Sequence, residues 1–332
     1  MMRLDLESGA ARTLVARGDE IRECSADKAL DRIAFVASDA THPAEVWVDD
    51  VATGAQRRLT GLNDGYLHAV TLSKPRHLHV RDDAGFSVDA WFVPALGVRG
   101  RAPTLLEIHG GPNALFGNTY FHEIQYLAAR GYNVVFANPR GSLGYGYRFA
   151  AALNRSWGDP MFDDEMRVVD AVARRPDVDA SRLGVLGGSY GGYATLWVIA
   201  HTDRFKGAIA ERPVSNLGSS FIDSDEGGRN DPRFTWPDVW DDVGVWYAQS
   251  PITFIERVHT PLLLVHSDND IRTPLADTLQ EYNALKALGR EVTYVDFPRE
   301  NHDLSRTGEP IHRIERLHVL VDWLDSAVKG KR

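Results

Sequence analysis

"RLGVLGGSYGGYATLWVIAH", residues 182–201, decides the fold. The run Arg182–Leu186 is short and mostly apolar, as a buried strand is, and Tyr193–His201 has the length and composition of a buried helix. Between them lies Gly187-Gly188-Ser189-Tyr190-Gly191, which fits G-x-S-x-G in the strand–turn–helix setting that this motif requires. A strand that reverses so sharply leaves no space for side chains beside the turn, and glycine removes them. The turn then lifts the Ser189 hydroxyl into a cleft and aims the Tyr190 amide, at the start of the helix, at any negative charge developing there. A glycine-rich phosphate loop or a plain tight turn would also account for the glycines; the motif gains its weight from this context together with the partner residues below.

Outward from this point, strands and helices alternate. "TLLEIHG" (104–110), "NVVFANPRG" (133–141), "GAIAERP" (207–213), "PLLLVHSD" (261–268) and "EVTYVDFPR" (291–299) read as buried strands. "EIQYLAARGY", "DDEMRVVDAVARR", "PLADTLQEYNALKALG" and "HRIERLHVLVDWLDSAV" read as helices. Such alternation predicts a mostly parallel sheet covered by helices on both faces, with ligand sites at the carboxyl ends of its strands. Residues 217–245 interrupt it with a polar, acidic stretch rich in Trp, Gly and Pro, expected as a lid or substrate wall.

Residues 1–75 have a different grammar. "RIAFVAS" and "EVWVDDV" are strand-like runs separated by turn signals. "LDLESGAARTLV" (4–15) is echoed by "VDDVATGAQRRLT" (48–60), aligning Asp5 with Asp50, Gly9 with Gly54 and Arg12 with Arg57 at an offset of about 45 residues. A four-stranded propeller blade repeats at about that period, so the segment is expected to be one blade plus the outer strand of a preceding one. Two hairpins sharing a D-x-x-[ST]-G turn would give the same echo. A lone blade exposes strand edges, so it is expected either to pack on residues 76–332 or to pair between copies in a homo-oligomer.

Serine is a weak nucleophile unless a base and an acid are brought to it, and on this scaffold the chain order is serine, acid, histidine. After the strand at 261–268, "HSDNDIRTP" offers Asp268 and Asp270. After the strand at 291–299, "ENHDLS" offers His302 in the loop where the topology needs a base. His109 precedes the serine and is expected to be structural. The adjoining Gly110 and Gly111 let a backbone amide face the same oxyanion as Tyr190. This constellation predicts an α/β-hydrolase fold and acyl transfer through an acyl-enzyme.

With "HGGP" (109–112), "NPRGSLGYG" (138–146), "WGDPMFDD" (157–164), "GGSYGGY" (187–193), "ERPVSNL" (211–217), "HSDNDIRTPLAD" (266–277) and "ENHDLSRTGEPIHRIER" (300–316), the chain resembles the prolyl oligopeptidase family of serine peptidases, most of all its acylaminoacyl-peptidase branch. The resemblance implies Ser189 as nucleophile, Asp270 in "D-x-R-T-P" as acid and His302 as base, with Arg272 and Val214 bordering the substrate. It implies hydrolysis of short peptides with release of N-acylated residues. Members usually carry a whole propeller, whereas residues 1–75 have room for about one blade. A carboxylesterase-like hydrolase, or an inactive fragment, are the alternatives.

Composition narrows the classes further. A net charge of −9 argues against a nucleic-acid or anionic-membrane partner, since both need a basic face. The single Cys24 excludes an internal disulfide, "MMRLDLESGA" lacks a secretory apolar core, and no run of about 18 apolar residues is present, so the cytoplasm is the expected location. H-E-x-x-H and the Rossmann and Walker glycine patterns are absent, so neither a metal nor a cofactor is expected.

Overall fold

The computed structural model describes every residue except 82–85, 227–235, 237 and 331–332. At its centre is an eight-stranded sheet formed by β7 (Arg76–Arg81), β8 (Ser87–Val93), β9 (Ala102–Ile108), β10 (Asn133–Asn138), β11 (Val178–Gly188), β12 (Gly207–Glu211), β13 (Leu262–Ser267) and β14 (Val292–Phe297). The spatial order is β14-β13-β12-β11-β9-β10-β8-β7. The strands from β10 to β14 pair in parallel, and β7 and β8 add antiparallel at one edge. This is the expected α/β-hydrolase architecture. Helix crossovers explain the parallel part: its central strands are covered on both faces and are therefore mostly apolar, as in β9, where all seven residues are buried.

Alternate residues of one strand enter different cores. Leu106 faces the core shared with helices Asp159–Ala173 and Tyr190–His201, while Leu105 faces the core shared with helices His122–Ala129 and Pro310–Ala327. Every residue from Tyr190 to Ala200 is buried. That helix holds the turn at Ser189 as a fixed point between sheet and helix layer.

The first 75 residues form two small antiparallel sheets. β1 (Met2–Leu4) pairs with β2 (Ala11–Thr13), and β3 (Glu20–Ala26), β4 (Arg32–Asp39), β5 (His42–Asp50) and β6 (Ala55–Arg58) form a four-stranded meander. The sequence echo is a repeated turn. Asp5 Oδ1 accepts from Ser8 N and Oγ at 2.7 Å each, and Asp50 Oδ1 accepts from Thr53 N at 3.0 Å and Oγ1 at 2.8 Å. Gly9 and Gly54 close the two turns with φ of 70° and 68°. A pair of strands, rather than one outer strand, therefore precedes the four-stranded sheet.

The meander's core is small, built on Ile33, Phe35 and Ala37 of β4 with Val15. Three or more strands hold only with something packed on their apolar face. Here the meander and the residues flanking its strands are hydrogen-bonded to helix His122–Ala129 and the loop before it. Asn118 Nδ2 donates to Gly18 O at 2.7 Å, the Ser38 and Thr119 hydroxyls lie 2.7 Å apart, and Gln125 Nε2 donates to Ala40 O at 3.1 Å. The expected packing on the larger unit is thus present.

Candidate active site

Strand β11 runs straight into the helix that begins at Tyr190, and Ser189 absorbs the reversal with φ 61° and ψ −122°. Such a conformation costs a non-glycine residue about 1–3 kcal/mol and persists only where the surroundings fix it. They do: Ser189 N donates to Glu211 O and Ser189 O accepts from Tyr193 N, both at 3.0 Å. Gly191 permits the close approach of the turn to β9, because a Cβ there would overlap the carbonyl oxygen of Ile108. Tyr190 N is the first amide of its helix, one of those without an intrahelical acceptor.

The second loop follows β9. A Cβ on Gly110 would lie 3.5 Å from Ser189 Cβ, so this backbone passes directly beside the serine. Gly111 has φ 123°, and a Cβ there would stand 2.8 Å from Asn113 N. His109 is buried, with Nε2 2.9 Å from Ser142 Oγ and Nδ1 2.6 Å from Gly110 O. It braces this loop against the loop after β10 and lies outside the serine–acid–histidine set.

The loops after β13 and β14 bring Asp270 and His302 together. His302 Nδ1 lies 2.8 Å from Asp270 Oδ2, so the Nδ1 proton is donated to the carboxylate and Nε2 is left as an acceptor. Asp270 also accepts from Arg272 N at 2.9 Å, Thr273 N at 3.0 Å and Thr273 Oγ1 at 3.1 Å. Burial raises the Asp270 carboxyl, but the His302 hydrogen bond and ring charge and the Thr273 amide outweigh it, and the net shift is downward. Behind it, His266 accepts at Nδ1 from Thr278 Oγ1 at 2.7 Å and donates from Nε2 to Thr273 O at 3.0 Å. Burial pushes His266 down to about 4, which keeps it neutral beside Asp270. Asp268 instead accepts from Arg299 N at 2.6 Å and ties the two loops together.

Ser189, Tyr190, Gly110, Gly111, His302, Val214 and Arg272 all line one cavity of about 1360 Å³, with Asp270 set behind His302. One wall is apolar, formed by Val214, Leu217, Phe221, Trp157, Trp236 and Trp246. Ring centroids 4.7 Å apart for Trp236–Trp246 and 4.9 Å for Phe221–Trp246 show that these side chains pack as a unit. The expected insertion supplies part of this wall through helices Leu217–Asp223 and Val243–Ala248, and its residues 227–235 and 237 lie outside those described. Of these aromatics Phe221 and Trp236 lie in the Trp-rich stretch 217–245, the signal that the sequence offers for this wall; Trp157 and Trp246 lie outside it. Arg272 is held by Asp225 through Nε at 2.7 Å and by Glu226 at 3.1 Å, so the insertion also docks on the loop of Asp270.

The opposite wall is charged. Arg316 is buried and pairs with Glu211 and, at 2.7 Å, with Glu123. Burial penalises the Glu211 carboxylate, but Arg316 outweighs this and holds it below its usual range. The ion pair joins the end of β12 to the helix that follows the His302 loop. Further out, Glu20 and Arg22 of β3 reach the cavity, so the N-terminal sheet forms part of its rim.

A buried polar network shapes the apolar wall from behind. Asp277 accepts from Ser215 N at 2.9 Å and Ser220 Oγ at 2.6 Å, and Ser215 Oγ donates to Glu281 Oε1 at 2.9 Å. Burial, opposed by the Ser215 hydroxyl and reinforced by the Asp277 charge, pushes Glu281 from 4.5 up to about 8. Between those values the unfolded chain releases this proton and the folded chain keeps it, so the contribution to stability is lost as pH rises from 4.5 to about 8. The Tm of Glu281→Gln relative to the parent chain should therefore be higher at the upper end of that range than at the lower. A difference that stays constant across it would mean that Glu281 is ionised in the folded protein.

The profile of the prolyl oligopeptidase family matches residues 118–331. The uncharacterized peptidase YuxL of Bacillus subtilis (strain 168) is 41% identical over 273 residues, covering 81% of this chain and 42% of its own. Acylamino-acid-releasing enzyme 1 of Oryza sativa subsp. japonica is 32% identical, covering 61% of this chain and 28% of its own. Among solved structures, Pyrococcus horikoshii acylaminoacyl peptidase superposes with a TM-score of 0.91 at 31% identity, over 98% of this chain and 52% of that one. The chain thus spans less than half the length of these two curated relatives.

Proposed function

Since the chain belongs to the prolyl oligopeptidase family, we propose that it hydrolyses short peptides and releases N-acylated amino acids. The observation that carries this reading is the 2.8 Å His302–Asp270 contact on loops that open, with Ser189, onto one cavity. In the proposed reaction His302 Nε2 takes the Ser189 proton as Oγ attacks the scissile carbonyl. Asp270 holds the ring in the Nδ1–H tautomer and stabilises the imidazolium. The Tyr190 amide and an amide of Gly110 or Gly111 receive the oxyanion. His302 then returns the proton to the leaving amine, and water, activated by the same ring, hydrolyses the acyl-enzyme.

The cavity supports a peptide over a small ester, being larger than the roughly 300–1,000 Å³ usual for small-molecule sites. The Val214–Trp246 wall suits an apolar side chain beside the scissile bond, and Arg272 borders it. Residues 1–75 are assigned as a propeller-blade unit at the rim and 76–332 as the catalytic unit. Turnover of acetylalanyl p-nitroanilide, alanyl p-nitroanilide and a p-nitrophenyl ester tests the reading. Preference for the acetylated anilide is expected. Ester turnover without anilide turnover would replace it by the carboxylesterase reading, and preference for the free amine would replace it by an aminopeptidase.

A further inference from the structure

At the edge of the large sheet, away from the residues that line the cavity, His77, His79 and Asp89 converge. His77 and His79 are two residues apart on β7 and therefore point to the same face, while Leu78 and Val80 between and beyond them pack toward the core. Register places Asp89 of β8 directly opposite His79. His77 Nε2 lies 3.1 Å and His79 Nδ1 2.8 Å from Asp89 Oδ1, and the two rings have centroids 4.3 Å apart. One ligand atom from each residue falls within 4.8 Å of the others.

We propose that these three side chains bind a divalent transition metal ion, zinc by ligand type. Two imidazole nitrogens and one carboxylate oxygen are a set that zinc takes in three-ligand sites, with water completing the tetrahedron. Ligands about 2.0–2.2 Å from a tetrahedral ion lie roughly 3.4 Å from one another. The two distances to Asp89 Oδ1 reach that by an outward movement of roughly half an ångström, and both histidines are exposed enough to make it. The supporting shell is already built. Tyr145 Oη donates to Asp89 Oδ2 at 3.0 Å and accepts from Asn138 Nδ2 at 2.8 Å, which turns Oδ1 toward the histidines. Such a site pins the exposed edge strand β7 to β8. A second cluster, Glu300–Glu309–His312, has no comparable opening: Glu300 Oε1 accepts from Glu309 N and His312 Nδ1, and Glu309 is held by Arg299.

The test is calorimetric titration of Zn²⁺ into the metal-free, untagged full chain, repeated with Co²⁺ and read by visible absorption. The parent chain should bind Zn²⁺ with a component that His79→Gln and Asp89→Asn each weaken by about tenfold or more, and that the double variant His77→Gln/His79→Gln lacks. Because both histidines are exposed on an edge strand, the double variant should keep the parent's circular dichroism. Absence of Zn²⁺ binding to the parent, or an identical titration in a folded double variant, would overturn the assignment.

Discussion

Replacing Ser189 by alanine should lower kcat/KM on acetylalanyl p-nitroanilide by roughly 10⁴-fold or more while leaving KM and the far-ultraviolet spectrum close to those of the parent chain. Ser189 sits at φ 61° because β11 must turn into a buried helix, and the Glu211 carbonyl and Tyr193 amide fix that turn through main-chain atoms that alanine keeps. The substitution thus removes Oγ and little else. The proposed oxyanion donors and the cavity remain, so the residual rate should exceed the uncatalysed one. A variant that retains more than about a tenth of the parent rate would show that another group attacks the carbonyl.

Asp270→Asn should cost about 10⁴-fold in kcat, again with the fold intact. The carboxylate accepts from His302 Nδ1, the Arg272 and Thr273 amides and the Thr273 hydroxyl. An Asn amide can present its oxygen to the Arg272 and Thr273 amides only by turning its NH₂ toward His302, which selects the tautomer protonated at Nε2 and removes the base. Asp268→Asn is the matched control. Its oxygen accepts from the Arg299 amide, a bond that Asn preserves, so the loss there should stay within a few-fold. Equal losses at both positions would mean that loop geometry, not the proton relay, sets the rate.

Much of this was legible in the residues. The 182–201 stretch dictates strand, turn and helix because the glycines and the buried apolar runs leave no other way to fit them. The order serine, aspartate, histidine follows from where loops leave a parallel sheet, and in the structure His302 lines the same cavity as Ser189, with Asp270 behind it. Choosing Asp270 over Asp268 needed the resemblance, since both lie in one loop and only contacts separate them. The antiparallel β7–β8 edge lies outside the strands predicted from the sequence, although the period-2 alternation of polar and apolar residues in "RHLHVR" is the pattern of a half-buried strand; its six residues are a short signal. Asp89 meets His79 only through cross-strand register, which no spacing in the sequence reveals. The aromatic wall joins Trp157, Phe221, Trp236 and Trp246, residues far apart in the chain whose convergence is a tertiary fact. Arg316 likewise reads as one more polar position on an amphipathic helix, yet it is buried between Glu123 and Glu211.

The most direct measurement of the central claim is the site of covalent capture by a phosphonyl fluoride, in which a serine oxygen displaces fluoride at phosphorus. After reaction with the parent chain and proteolysis, mass spectrometry should find a single adduct on the peptide carrying Ser189, formed in step with loss of anilide turnover. His302→Ala should slow its formation by removing the base that activates the hydroxyl. An adduct on another residue, or full loss of turnover with Ser189 unmodified, would contradict the assignment of Ser189 as the nucleophile.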